Sequence, residues 1–314
     1  MPDYSRDYSL AYDERAGMCT IRFRCFDTPN AVSVYVGERD GEEVEDVLVD
    51  VRRTCLELHR LWSFSLAGSD VERMNRDVRR VQVDARTAEL VQAMKDFHGV
   101  EPSFDFTIGP VSFLWKHAEA LPTDEQLADA LAHVGATKVR VDGDYVVKGD
   151  PLTKVDVGGA AKGFAADVVA KKLRKAGFTC ADVDLGGNLY MLGQHPAGRD
   201  WRVSVRIPEG IAAEPVILEV RDKSVVTSGS YERYVELGGK RYQHIVDART
   251  GLPCESDIVS ATVVAESSLH ADLLATTTCL LGSRGFDELA ARHPDCQFVA
   301  IVSDGRVLRS ATLS

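Results

Sequence analysis

Alternating apolar and polar positions near the start of the chain predict two β-strands. Residues 20–27 and 31–36 alternate, and the Thr-Pro-Asn sequence at 28–30 is typical of a turn between strands. The period then changes, because apolar residues recur at three- and four-residue steps from Val44 to about Trp62. That spacing predicts an amphipathic helix, so a hairpin leads into a long helix.

The same two periods predict the remaining elements. Further helices are predicted at 87–97, 123–134, 160–176 and 268–281, the last followed by a shorter one. Strands are predicted at 201–207, 216–227, 231–247, 258–265 and 297–309. Thr123 and Gln126 form a capping box, and Asp142-Gly143 predicts a hairpin turn within 138–148. Since hairpins outnumber β-α-β units, we predict an α+β fold with largely antiparallel sheets and interleaved packed helices.

Composition excludes several classes of protein. The 314 residues are 45% hydrophobic and 27% charged, which is typical of a globular protein with two domains or one large interleaved one. A net charge of -11 disfavours binding to nucleic acids and anionic membranes. The seven cysteines form no C-x-x-C pair, so we expect core thiols rather than disulfides or a zinc ribbon.

The hydropathy of the chain bears on its compartment. The first ten residues lack the apolar run of a secretory signal, and no later stretch reaches the ~18 apolar residues of a membrane span. We therefore expect a cytoplasmic protein from the sequence as written, or an extracytoplasmic one if an export signal has been removed.

Two glycine-rich segments are candidates for ligand binding. Residues 155–163 (VDVGGAAKG) run from a strand end into a helix start, where backbone can approach a ligand and the helix favours an anion. They do not form a Walker A loop, and a tight strand-to-helix turn is the alternative interpretation. Residues 182–188 (DVDLGGN) end in paired glycines, which a hairpin turn explains equally well.

Two further segments carry polar side chains that could act chemically. Residues 227–251 form a predicted hairpin closed by two glycines, and alternation places His244 and Asp247 on opposite faces of its second arm. A packed or solvated histidine is the alternative to a catalytic one. Asp272 and Thr276 are four residues apart on an apolar helix, so their oxygens share one face and suit Mg²⁺. The alternative is a capping or salt-bridged Asp272.

In order and spacing, eight segments resemble the ApbE-like family of FAD:protein FMN transferases. The matching segments are GMCT (17–20), SDVERMN (69–75), FDFTIGP (104–110) leading to Trp115, DVGGAAKGFAAD (156–167), DLGGN (184–188), TSGSYERY (227–234), KRYQHIVDARTG (240–251) and HADLLATT (270–277). The resemblance covers about residues 17–302. It implies a T-fold-related architecture with an N-terminal tail at 1–16 and one unit, or two interleaved subdomains, at 17–314. Ala248 stands where the family usually has proline.

The resemblance also implies an activity. Such an enzyme binds FAD, cuts its pyrophosphate with Mg²⁺, joins FMN to a Thr or Ser hydroxyl of a target flavoprotein, and releases AMP. Acceptors in the family carry a motif like D-x-x-[ST]-G-A-[ST], which this chain lacks, so the acceptor is expected to be another protein. Two alternatives stay open: an FAD pyrophosphatase that gives free FMN and AMP, and a protein that binds FAD without turnover.

Residue roles follow from the resemblance where positions match. It implies that Asp272, Thr276 and the Gly159 carbonyl bind Mg²⁺, and that His244 takes the proton of the acceptor hydroxyl, since an alcohol needs a base to attack phosphorus at neutral pH. The residues implied to line the FAD site are Met18, Ser103, Phe104, Asp105, Asp156, Lys162, Thr227, Ser228, Gly229, Tyr231 and Val246. The metal and Lys162 would offset the diphosphate charge inside an acidic protein.

Overall fold

A computed structural model describes residues 7–229 and 234–312 and shows both helices and strands there. The helices are α1 (Gly41–Trp62), α2 (Asp70–Met74), α3 (Ala85–Val100), α4 (Gly109–Lys116), α5 (Asp124–Ala132), α6 (Ala161–Lys175) and α7 (Ser268–Arg292). The strands are β1 (Tyr8–Asp13), β2 (Met18–Cys25), β3 (Thr28–Tyr35), β4 (Arg80–Gln82), β5 (Val139–Asp142), β6 (Tyr145–Lys148), β7 (Cys180–Leu185), β8 (Asn188–Gly193), β9 (Trp201–Ser204), β10 (Ile217–Val220), β11 (Lys223–Gly229), β12 (Tyr234–Leu237), β13 (Lys240–Gln243), β14 (Ile258–Ala265), β15 (Gln297–Val302) and β16 (Val307–Arg309).

The strands form one large sheet and three small ones. The large sheet has nine strands in the order β1-β2-β3-β7-β8-β11-β14-β15-β16, and each neighbouring pair is antiparallel. The small sheets are β10-β9, β12-β13 and β4-β6-β5. The predicted α+β class with antiparallel sheets is therefore confirmed.

Helices and a small sheet cover the two faces of the large sheet. Helices α1, α6 and α7 pack on one face and share its main apolar core. The β9-β10 pair covers part of the other face through a separate cluster that includes Val203, Leu218 and Val225. A third cluster joins α4 and α5 to the β12-β13 hairpin.

None of the seven cysteines forms a disulfide, and six are buried, as the spacing predicts. Within the part of the chain that the structure describes, no helix is both long enough and apolar enough to span a membrane.

The first hairpin turn lies two residues earlier than the pattern predicts. Cys25 pairs with Thr28, so Phe26 and Asp27 form a two-residue loop, with φ of +52° and +59°. Positive φ at both positions is the type I′ geometry that matches the twist of antiparallel strands. Pro29 lies within β3 although proline has no backbone N–H to donate. This is possible because β3 pairs with β7 only from Asn30 onward, so no carbonyl of β7 lies opposite Pro29. The prediction of a turn at 28–30 is therefore wrong.

Most of the predicted elements are present, with changes at their ends. The capping box of α5 is confirmed, and α7 bends at Gly282 (φ +67°), as a helix followed by a shorter one predicts. The predicted strands at 216–227 and 297–309 are each two strands, because turns with positive φ interrupt them at Asp222 and Gly305. Residues 8–13 pair with β2, so this part of the predicted N-terminal tail belongs to the sheet. The pattern does not predict the short elements α2, α4, β1 and β4.

Candidate functional site

Two turns and a strand end meet at one end of the large sheet. The β7-β8 turn holds Gly186 against the β2-β3 turn, since a Cβ added to Gly186 would lie 2.7 Å from the Cβ of Thr28. Asn188 begins β8 and pairs with Val226 of β11. Residues 227–229 therefore continue β11 past the β7-β8 turn, at the sheet end that faces the start of α6.

Helices α6 and α7 cross in direct contact beside this sheet end. A Cβ added to Gly163 would lie 2.5 Å from the Ser268 carbonyl oxygen and 2.8 Å from the Cβ of Asp272, so only glycine fits at the crossing. The Gly163 N–H donates to Asp272 Oδ2 at 2.9 Å. Asp272 thus caps the first turn of α6, which is the capping role that the sequence leaves open.

The Asp272 carboxylate is buried and lies near one cation. Its residue is 3% exposed, and burial raises the pKa of the carboxyl, against the opposing effects of Lys162 and the Gly163 N–H. The Lys162 ammonium donates to Asn188 Oδ1 at 2.8 Å and to the Gly186 carbonyl at 3.2 Å. Lys162 therefore ties the start of α6 to the β7-β8 turn and places a positive charge beside the buried carboxylate.

Gly159 brings backbone up to Thr276. A Cβ at Gly159 would lie 3.2 Å from both Thr276 Oγ1 and Phe104 Cε2. Asp272 and Thr276 are one turn apart on α7, so a carboxylate, a hydroxyl and the Gly159 backbone share one small region. These are hard oxygen donors of the kind that Mg²⁺ prefers, usually with one or two carboxylates completed by substrate phosphates.

Histidine, cysteine and carboxylate clusters do not offer another metal site in the described ranges. No group of three or more His, Cys, Asp or Glu side chains within residues 7–229 and 234–312 could hold a metal ion. A single carboxylate with neutral oxygen donors therefore fits Mg²⁺ better than a metal that needs several nitrogen or sulfur ligands.

The segment before Gly159 is held in place by hydrogen bonds with the Asn75 and Asp156 side chains. The Asn75 side chain donates to the Val155 carbonyl at 2.9 Å and accepts from the Val155 N–H at 2.7 Å. Asp156 Oδ1 accepts from the Gly158 N–H at 2.8 Å. Asp156 therefore shapes the tight turn that the sequence leaves as an alternative, and this turn is what carries Gly159 to Thr276.

The turn at residues 103–105 contributes an apolar wall and a rigid corner. Phe104 is buried and lies edge-on to Phe97, with ring centroids 5.6 Å apart. Asp105 Oδ1 accepts from the Thr107 N–H at 2.8 Å and from its hydroxyl at 2.6 Å. Phe104 thus lies beside Gly159, Asp105 fixes the turn that follows it, and Ser103 before it is half-buried.

His244 lies on the surface next to α7. Strand β13 ends at Gln243, so the predicted alternation stops there: His244 is exposed, whereas Ile245 and Val246 are both buried. The Ile245 carbonyl accepts from the Cys254 N–H at 2.8 Å, and the Cys254 thiol reaches the Cys279 carbonyl at 3.5 Å. Ile245 is thus linked through Cys254 to α7 at Cys279, three residues after Thr276.

Asp247 has a clear structural role. Its carboxylate accepts from the Arg249 guanidinium at 2.7 Å and from the Arg249 N–H at 2.9 Å. The hydrogen bond from Arg249 holds the pKa of the Asp247 carboxyl below its ordinary value. Asp247 thus shapes the turn at 247–251, the segment in which Ala248 replaces the usual proline.

The remaining implied site residues do not all lie in one place. Thr227, Ser228 and Gly229 lie at the sheet end described above, and Val246 packs in the cluster of α4 and α5. Tyr231 lies outside the described residues. Met18 begins β2, whereas the site lies beyond Cys25 at its other end, and seven residues of strand span about 23 Å at ~3.3 Å per residue. The structure therefore does not bring Met18 to this site.

Sequence reasoning misses a group of aromatic side chains next to the β2-β3 turn. Phe26 stacks near Trp62, with centroids 6.4 Å apart, and Trp62 lies edge-on to Phe164 of α6 at 5.4 Å. The Thr-Pro-Asn signal at 28–30 obscures the turn at Phe26. The local signal that could have revealed this turn is the Asp directly before Thr-Pro, because aspartate tolerates positive φ.

Comparisons with known proteins match nearly the whole chain. A model of the ApbE family matches residues 26–300, so the match begins at the Phe26 turn. The FAD:protein FMN transferase of Haemophilus influenzae is 31% identical over 291 residues, covering 88% of this chain and 82% of the relative. That of Vibrio cholerae is 29% identical over 281 residues, covering 86% and 84%.

Solved structures agree in fold. The flavinyl transferase ApbE of Pseudomonas stutzeri, in its apo form, superposes with a TM-score of 0.82 at 26% identity, covering 97% of this chain and 96% of that one. The apbe protein of Thermotoga maritima gives 0.82 at 25% identity, covering 98% of each chain. Similarity of this extent in both sequence and structure leads to one conclusion: the chain belongs to the ApbE family, a family of flavin transferase enzymes.

Proposed function

We propose that the protein is an FAD:protein FMN transferase that moves FMN from FAD to a Thr or Ser hydroxyl of a target flavoprotein and releases AMP in a Mg²⁺-dependent reaction. Membership of the family and the names of its curated relatives support the flavin transfer. The observation that carries the metal dependence is the helix crossing at Gly163, which places the buried Asp272 beside Thr276 and Gly159.

Three oxygen donors would hold the metal. Asp272 would supply the one charged ligand, and the Thr276 hydroxyl and the Gly159 carbonyl two neutral ones. Bound Mg²⁺ supplies charge neutralisation of the diphosphate and of the departing AMP. Because burial disfavours the charged form of Asp272, a cation bound there would stabilise the carboxylate.

Nearby side chains suit two parts of FAD, its diphosphate and its ring systems. Lys162 supplies a positive charge next to the metal ligands, which a chain of net charge -11 needs in order to bind a diphosphate. Phe26, which is half-buried at the β2-β3 turn, would supply apolar surface on which a ring system can lie. The rings and the diphosphate would thus be oriented by different groups of residues.

His244 is placed to meet a hydroxyl that arrives on another protein. Its side chain is exposed, and the neighbouring Ile245 is linked through Cys254 to α7 at Cys279. As general base, His244 would take the proton from the acceptor hydroxyl while the oxygen attacks the FMN phosphorus. An exposed base fits an acceptor that is a second protein better than one buried in this chain.

The test is a transfer assay with an acceptor protein that carries a D-x-x-[ST]-G-A-[ST] motif. With FAD and Mg²⁺, we expect the acceptor to gain the mass of one FMN and one AMP to be released per transfer. Asp272→Ala should abolish both products, whereas Asp304→Ala, which removes an exposed carboxylate on the β15-β16 turn, should not. Free FMN and AMP without a gain in acceptor mass would identify a pyrophosphatase. Intact FAD that stays bound would identify a binding protein.

A further inference from the structure

A carboxylate of α6 holds the start of α7. Asp167 Oδ1 accepts from the Ser268 N–H at 2.7 Å, and its Oδ2 accepts from the Ser267 hydroxyl at 2.7 Å and the Leu269 N–H at 3.0 Å. The first N–H groups of a helix have no partner within the helix, and a negative charge is favoured there. Asp167 therefore caps α7 from a neighbouring helix.

The reverse contact caps α6. Ala160 precedes α6 and offers no side-chain hydrogen bond to its first turn, whereas Asp272 of α7 accepts from the Gly163 N–H. Asp167 lies four residues after Gly163 on α6, and Asp272 lies four residues after Ser268 on α7. Each helix thus places a carboxylate, one turn from the crossing, on the N-terminal turn of the other.

This exchange fixes how the two helices can move. The close contact at Gly163 prevents the helices from approaching further, and the Asp167 hydrogen bonds prevent α7 from sliding along α6. The position of Asp272 relative to Gly163 and Gly159 therefore depends on Asp167. Asp167 binds the start of α7, and Ser268 there is one helical turn before Asp272, so Asp167 acts on the candidate metal ligand through α7.

We propose that Asp167 is a positioning residue that sets the place of the Asp272 carboxylate and thereby the affinity of the site for Mg²⁺. The metal part of this inference rests on the proposed function. The positioning part rests on the hydrogen bonds of Asp167 with the start of α7 and of Asp272 with the Gly163 N–H.

A matched control, Asp257, lies just before β14 and binds the second half of α7. Asp257 accepts from the Ser283 N–H at 2.9 Å and from the Ser283 hydroxyl at 2.5 Å, just beyond the bend at Gly282. Asp257→Asn therefore weakens a carboxylate cap of the same kind on the second half of α7. It leaves the contacts of Asp167 and Asp272 in place.

The experiment measures amide hydrogen exchange at Gly163 without metal, and Mg²⁺ binding by calorimetry in the presence of FAD. Asp167→Asn replaces one acceptor oxygen with a donor that faces the start of α7. We expect faster exchange at Gly163 and a Kd for Mg²⁺ raised about tenfold, as is typical when a residue that orients a metal ligand is changed. Asp257→Asn should lower the melting temperature but change neither readout.

Unchanged exchange at Gly163 in Asp167→Asn would overturn the inference, whether or not the protein binds metal. Faster exchange with unchanged Mg²⁺ affinity would overturn the metal part alone. If the wild-type protein binds no Mg²⁺, the proposed function fails, and the exchange measurement still decides the positioning role. Should Asp167→Asn not fold, Ser267→Ala removes one of the three donors to Asp167, and we expect the same changes at smaller size.

Discussion

Among single residues, Glu101 shows how a buried charge far from the proposed chemistry supports the site. It is 2% exposed and accepts from the Arg292 guanidinium at 2.8 and 2.9 Å and from His293 Nε2 at 2.8 Å. Its carbonyl also accepts from the Phe104 N–H at 3.1 Å. Glu101 thus ties the end of α7 to the turn that carries Phe104.

The charge of Glu101 leads to a prediction about acid stability. Burial raises its pKa, but Arg292 and His293 outweigh burial and hold it below the ordinary 4.5. A carboxyl group whose pKa is lower in the folded state stabilises the fold above pH 4.5. This stabilisation is lost as the pH falls through the pKa of the folded state. We expect Glu101→Gln to lower the free energy of unfolding by about 1.5–3 kcal/mol at pH 7 and to flatten its decline in acid. Urea unfolding at several pH values measures this. Glu288→Gln, which removes an exposed partner of the same Arg292, should change little, and an equal loss there would contradict the assignment.

His244 leads to a kinetic prediction at the same scale. In its proposed role His244 is a general base and does not hold FAD. Replacing it by alanine should therefore lower kcat about 10²- to 10⁴-fold and leave the Kd for FAD unchanged. Stopped-flow turnover and fluorescence titration of FAD measure the two quantities. His117→Ala, at an exposed histidine of the α4 end, serves as the control. A parallel loss of FAD affinity in His244→Ala would indicate a binding role instead.

At the scale of elements, the crossing of α6 and α7 is the contact on which the site depends. We expect Gly163→Ala to destabilise the protein by about 1–3 kcal/mol, since its Cβ would overlap Ser268 and Asp272, and to abolish transfer. Gly99→Ala is the matched change, because Gly99 is also helical and a Cβ there meets nothing within 4 Å. It should leave activity intact and stabilise α3 by up to about 1 kcal/mol. Thermal melts and the transfer assay compare them, and equal effects of the two changes would show that the crossing is not tight.

At the scale of the whole molecule, the site joins parts of the chain that are far apart in sequence. The hydrogen bond from Gly163 to Asp272 spans 109 residues, and Lys162 reaches across 26 residues to Asn188. Ligands that bridge these parts should therefore stabilise the entire fold.

Melting curves test this. FAD and Mg²⁺ together, at about 100 times their Kd, should add ~2.7 kcal/mol to the free energy of unfolding and raise the melting temperature, whereas either alone should add less. Chelation of the metal should reverse the rise. Asp272→Ala should show no added effect of Mg²⁺, and a full response in that variant would place the metal elsewhere.

The sequence alone determined the features that depend on near neighbours along the chain. The three- and four-residue period of α1, the capping box at Thr123 and the hairpins that make the fold α+β are all visible locally, and so is the spacing that puts Asp272 and Thr276 on one helix face. Their physical causes act within a few residues: side-chain burial on one face, a cap, or a turn with positive φ.

Only the tertiary structure decided which of these local features come together. It shifted the first turn to Phe26, because the position of Pro29 depends on where β7 ends, and it separated Met18 from the site by the length of a strand. It also paired Gly163 with Asp272 and Gly159 with Thr276, contacts that require two helices and a loop to pack at one end of a sheet. The packing of the helices at the site is set by contacts between segments over a hundred residues apart, so no local pattern could reveal it.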